Sequence, residues 1–107
     1  MSDSQQGDAP LVSVYADDPD MAELVVEFVS ELDDRVAALQ TALDADDLVA
    51  LRRMAHQLKG AGGGYGFPSI TETASDLERA CDNFSGDIAG VREGTQELIE
   101  LCNRASA

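Results

Sequence analysis

Met21, Leu24, Val25, Phe28, Val29, Leu32, Val36, Leu39 and Leu43 recur at spacings of three and four, which predicts one long helix with a single buried stripe. The stripe accommodates about six turns at 3.6 residues each. Asp18 followed by Pro19 predicts where it starts. An aspartate side chain caps free N–H groups and proline fits the first helical position, which leaves Asp20 and Glu23 where the helix dipole favours negative charge. Asp44 to Asp47 interrupts the pattern, and Asp46 or Asp47 is placed to cap a second helix carrying Leu48, Leu51, Met54, Ala55 and Leu58. That helix runs into glycines at 60, 62, 63, 64 and 66. Phe67, Pro68 and Ser69 restart the chain, and Ile70, Thr73, Ala74, Leu77 and Cys81 trace a third stripe. After a turn at Asn83 to Gly86, a fourth stripe follows through Ile88, Val91, Thr95, Leu98, Cys102 and Ala105. Four amphipathic helices joined by short connections predict an all-α fold, an antiparallel up-down four-helix bundle.

Residues 1–10 are polar and aperiodic and read as a flexible N-terminal tail, which leaves residues 11–107 for the bundle domain. Leu11 to Tyr15 alternates apolar and small residues, yet a single strand has no partner for its backbone groups. A short extended or single-turn segment packed across the bundle is therefore expected.

A chain of 107 residues, 44% hydrophobic and 26% charged, suits one compact domain. Seven Lys and Arg against 21 Asp and Glu give a net charge of -14, which repels phosphate backbones and anionic headgroups. Neither nucleic acid nor a membrane is an expected partner. No apolar run approaches the ~20 residues that span a bilayer, and the amino terminus lacks the basic and apolar regions of a secretion signal. A soluble, cytoplasmic monomer is expected. Cys81 and Cys102 match no zinc-binding spacing and read as reduced thiols packed as small apolar side chains. One histidine and two cysteines on apolar stripes form no convergent ligand set for a metal or haem, so no cofactor is expected.

The charge is unevenly distributed. From Leu48 to Thr71 there is no Asp or Glu, while Arg52, Arg53 and Lys59 make this 24-residue window +3. The other 83 residues carry four bases and 21 acids, a net -17. The only histidine, His56, lies in the middle of the window. With about 100° per residue it points roughly 120° away from the arc of Leu48, Leu51, Ala55 and Leu58, and so toward solvent. Arg52, Arg53, Lys59, Gly60 and Gly63 are its neighbours on that surface. Each glycine costs about 1 kcal/mol relative to alanine in a helix interior. Placed beside an imidazole, these glycines remove the side chains that would hinder a phosphoryl group or another backbone from reaching the ring.

His56-Gln57-Leu58-Lys59-Gly60, followed after five residues by Gly66-Phe67, resembles the H-x-[LI]-K-G-x5-G-F signature of histidine-containing phosphotransfer (HPt) domains. Asp17-Asp18-Pro19, Phe28 and the Leu77-Glu78 pair extend the resemblance more weakly, over roughly residues 11 to 105. The resemblance implies that His56 is the phosphorylated side chain and Lys59 its electrostatic helper. It also implies that Gly60 and Gly63 keep the surface open. Glu78 falls 22 residues after His56, where some members of that family place a group that hydrogen-bonds the imidazole. Read without the family, Glu78 is equally a solvated helix charge beside Arg79.

The chemistry asks for the same parts. An imidazole that accepts a phosphoryl group needs one unprotonated nitrogen, and a partner on the other fixes the tautomer. Transfer through a loose, metaphosphate-like state is catalysed mainly by positioning and charge neutralisation, which Lys59 and Arg52 are placed to supply. With acids excluded from the window, the Mg²⁺ such transfer uses is expected on the partner. There is no nucleotide-binding glycine loop and no second catalytic group, so a phosphocarrier rather than a kinase or phosphatase is expected. Its partners would be a response-regulator receiver domain, a histidine kinase, or both. The docking face would comprise Arg52, Arg53, Gln57, Gly60, Gly63 and Gly64, with Tyr65 and Phe67 serving either as apolar contacts or as core. The alternative is a helical adaptor that binds a signalling partner through the same face without phosphorylation.

Overall fold

The computed structural model describes residues 9–107. Its elements in chain order are β1 (Leu11–Val12), α1 (Ala22–Asp44), α2 (Leu48–Gly64), α3 (Pro68–Asp82), α4 (Ala89–Arg104) and β2 (Ala105–Ser106). Each helix packs on its neighbours in sequence and α4 closes back on α1, which makes a helical bundle. The four apolar stripes meet in one core. Val25, Phe28, Leu32, Leu39 and Leu43 of α1 face Leu51, Ala55 and Leu58 of α2, Ile70, Ala74 and Leu77 of α3, and Val91, Leu98 and Cys102 of α4. Phe67 is fully buried, and the Phe28 ring lies 5.8 Å from it and stacks on Tyr65 at 4.7 Å. Both aromatics at the end of α2 are thus core residues. No described helix is long and apolar enough to cross a membrane.

Local chemistry sets the helix ends. The Asp47 carboxylate accepts from the Ala50 N–H at 3.0 Å and starts α2, and Asp46, at φ 54°, makes the reversal before it. Pro68 opens α3, and the Asp87 carboxylate accepts from the Ala89 N–H at 3.0 Å ahead of α4.

Three expectations need correction. The first helix begins at Ala22 rather than beside Pro19, because the Asp18 carboxylate closes on the N–H of Asp20 at 2.9 Å. This bond two residues on makes a turn over residues 18–21, and the Asp18 carbonyl then accepts from Met21 and Ala22 at 3.0 and 2.8 Å. Leu24, assigned to the buried stripe, is 43% exposed, because Val25 and Phe28 fill the core beside it.

The segment expected to lack a strand partner has one. Leu11 pairs with Ala105 and Val12 with Ser106 in a parallel two-stranded ladder, so Ala105 leaves the fourth helix for an extended conformation. Residues 1–8 of the expected tail lie outside the described residues, and the Ala9 carbonyl accepts a 2.9 Å hydrogen bond from Arg104 Nε. The segment is also tied to the end of α2. The Ser13 hydroxyl donates to the Tyr65 carbonyl at 2.7 Å, and the Val14 N–H donates to the Gly66 carbonyl at 2.9 Å. Gly66 has φ +86°, and a Cβ there would stand 2.8 Å from the Tyr15 ring, so both conformation and space demand glycine.

Candidate functional site

With Leu51, Ala55 and Leu58 turned into the core, α2 leaves Val49, Arg52, Arg53, His56, Gln57, Gly60, Gly63 and Gly64 on its outer face. The His56 side chain is 65% exposed. Against this face lies α3, whose Ile70, Ala74 and Leu77 are anchored in the core. Glu78, next to Leu77, is thereby held in the seam between the two helices with only 8% of its surface exposed.

Three basic or nitrogenous side chains of α2 converge on this carboxylate. His56 Nδ1 lies 2.9 Å from Glu78 Oε2, Lys59 Nζ lies 2.7 Å from Oε1, and Arg52 Nη2 lies 3.8 Å from Oε2. The hydrogen bond from Lys59, reinforced by the one to His56, holds the Glu78 carboxyl below its ordinary value against the opposing effect of burial. An ionised carboxylate can only accept, so Nδ1 of His56 is the donor and the neutral ring keeps its lone pair on Nε2. One turn further along α3, Asp82 binds Arg52 Nε, and this hydrogen bond and charge raise the Arg52 pKa further.

The +3 window of the sequence is partly neutralised in the fold. Counted along the sequence it holds no acid, but folding brings Glu78 and Asp82 of α3 against Lys59 and Arg52. Among the described residues Arg53 is the cation of the window that makes no ion pair.

The glycines divide by their surroundings. A Cβ on Gly60 or Gly64 would meet nothing within 4 Å, and one on Gly63 would come 3.3 Å from Thr71 Oγ1. The surface beyond His56 is thus open. Gly62, which reads in sequence as part of a helix end, lies buried where α2 packs against the first turn of α3. A Cβ there would stand 2.9 Å from Thr71 Oγ1 and 3.1 Å from the Thr71 backbone nitrogen. Gln57 lies on the other side of His56 and borders a crevice between α1 and α2 lined by Leu39, Met54 and Leu58. Sequence reasoning missed Asp82 and Thr71. Asp82 follows Glu78 by one helical turn as Arg52 precedes His56 by one, a pairing visible only once the register of α2 on α3 is known. Among the described residues no three His, Cys, Asp or Glu side chains are grouped to hold a metal ion, and Cys81 and Cys102 are free.

A helical bundle that presents one exposed imidazole, oriented by a carboxylate and flanked by glycines, has the parts of a histidine phosphocarrier. The Hpt domain family model matches residues 23–107, from the second residue of α1 to the last of the chain, and the protein belongs to this family. No curated protein and no solved structure matches the sequence. Hpt domains are phosphocarriers of two-component signalling and interact with receiver domains and histidine kinases.

Proposed function

We propose that the protein is a phosphorelay intermediate in which Nε2 of His56 accepts a phosphoryl group from a receiver-domain aspartate or a histidine kinase and passes it to another receiver. The observation that carries this reading is the 2.9 Å contact between His56 Nδ1 and Glu78 on an otherwise exposed ring. It leaves the lone pair of the neutral imidazole on Nε2, the nitrogen that does not bind Glu78, on a helix face where Gly60 and Gly64 add no side chain. In the forward step the Nε2 lone pair forms a bond to phosphorus as the bond from phosphorus to the aspartyl oxygen breaks, which releases the carboxylate of the donor. The proton stays on Nδ1, and the positive charge that develops on the ring is stabilised by Glu78. The return step reverses this. Mg²⁺ for both steps resides on the receiver.

Lys59, one turn from His56, neutralises phosphoryl oxygens once it exchanges its contact with Glu78 for them. Arg52, Arg53, Gln57, Gly60, Gly63 and Gly64 form the docking face. The short connections between helices support an antiparallel up-down arrangement. So do the facing pairs of α2 and α3, in which Arg52 meets Asp82, His56 meets Glu78 and Gly62 meets Thr71.

Incubation with a phosphorylated receiver or an active kinase is expected to label the protein with an acid-labile phosphate, and His56→Gln is expected to abolish the label. Unchanged labelling of that variant overturns the assignment. Full biological activity of the unlabelled variant identifies an adaptor instead.

A further inference from the structure

Thr71 stands in the first turn of α3, half-buried, and its hydroxyl donates a 2.8 Å hydrogen bond to the backbone carbonyl of Lys59 in α2. This bond crosses from one helix to the backbone of the other, and a backbone carbonyl within a helix cannot move without moving the helix. The approach that makes it possible depends on Gly62, since a Cβ there would stand 2.9 Å from the same hydroxyl oxygen. Glu78 follows Thr71 by seven residues, two turns on the same side of α3, and it reaches His56 and Lys59. Helix α3 therefore grips α2 at two levels, and Lys59 takes part in both. Its carbonyl is held by Thr71 and its ammonium by Glu78.

The two levels differ in what they can hold. Glu78 ends in a side chain with three rotatable bonds, and it accepts from groups that are themselves flexible and partly exposed. A slide of α3 along α2 by a fraction of the 1.5 Å rise per residue would leave its ion pair with Lys59 intact while spoiling the alignment on His56 Nδ1. The hydroxyl of Thr71 is on Cβ, a stiff β-branched position, and is bonded to backbone. It is the contact that resists such a slide.

We propose that Thr71 is a positioning residue, whose hydroxyl fixes the axial register of α3 on α2 and so determines, through Glu78, which nitrogen of His56 carries the proton. This deepens the phosphocarrier reading and rests on it for its functional meaning, but the tautomer itself is a property of the free, unphosphorylated protein. The test is long-range ¹H–¹⁵N correlation of the His56 ring at mildly alkaline pH, where an imidazole is neutral. The parent protein is expected to show predominantly the Nδ1–H form. Thr71→Val, which keeps the branched shape and removes the hydroxyl, is expected to raise the Nε2–H fraction severalfold, and Thr71→Ser to restore the parent ratio.

Thr71→Ala removes the same hydroxyl without filling its space, so it must give the same shift should the valine variant not fold. A tautomer ratio in folded Thr71→Val or Thr71→Ala equal to the parent's overturns the proposal. Phosphoryl transfer to the Val variant is expected to slow by roughly tenfold, with receiver affinity unchanged. If His56 is never phosphorylated but its tautomer responds to Thr71, the phosphocarrier reading fails and the positioning role stands. If His56 is phosphorylated and its tautomer ignores Thr71, only the positioning role fails.

Discussion

Glu78 binds both of the α2 side chains proposed for the chemistry, one on each carboxylate oxygen. In the resting molecule Lys59 is thus held by Glu78 rather than standing free for a phosphoryl group. Lys59→Ala is expected to slow phosphoryl transfer by roughly tenfold or more while leaving the helical content unchanged. Quenched-flow transfer from a labelled receiver and far-ultraviolet circular dichroism check the two halves of this statement, and equal transfer rates would remove Lys59 from the mechanism. How far these residues were legible in the sequence follows from distance along it. His56, Lys59 and the glycines share one helix, so their common face could be computed from the helical period. Glu78 was reachable only through the family resemblance, and without it was equally a solvated charge. Asp82 and Thr71 became visible only when α3 was laid on α2, because nothing local distinguishes them from ordinary helix residues.

At the scale of the element, α2 carries glycines that look alike in sequence and differ in what surrounds them. Gly60 faces open space, so Gly60→Ala is expected to stabilise the fold by up to about 1 kcal/mol through helix propensity alone. Gly62→Ala is expected to destabilise by about 1–3 kcal/mol, since its new methyl meets the backbone nitrogen of Thr71 at 3.1 Å and α3 must move aside. Urea denaturation of the two variants should give midpoints displaced in opposite directions, and a common direction would contradict this account of the seam. The four helices themselves were legible because an apolar period marks each of them, with Asp47 capping α2 and Pro68 opening α3. The start of α1 was not, because an aspartate that closes a turn and one that caps a helix carry the same letters. The ladder of β1 with β2 was hidden for another reason. Two-residue strands leave no period, and the partner of each lies at the far end of the chain.

Across the whole molecule, stability is expected to fall on both the acid and the alkaline side. Glu78 is held below its ordinary value of 4.5 in the folded state, so its contribution is fully present above that pH and is lost as pH falls through the lowered value. Burial pushes the Cys102 thiol up to about 11 from an ordinary 9.0, so folding favours its neutral form. That contribution is complete below pH 9.0 and disappears as pH rises toward 11, at a cost of about 2 to 3 kcal/mol. Thermal melts across this range check both limbs, and Cys102→Ala should flatten the alkaline one. Joining the two ends of the fold in a ladder also has a mechanical consequence. Because β1 and β2 run parallel, tension applied at the ends of the chain slides one strand along the other and loads the hydrogen bonds of the clasp together. The same geometry in an antiparallel pair would open like a zip, one bond at a time. A pull transmitted from either side therefore meets the clasp first, while the bonds of Ser13 and Val14 to Tyr65 and Gly66 carry part of the load to the end of α2.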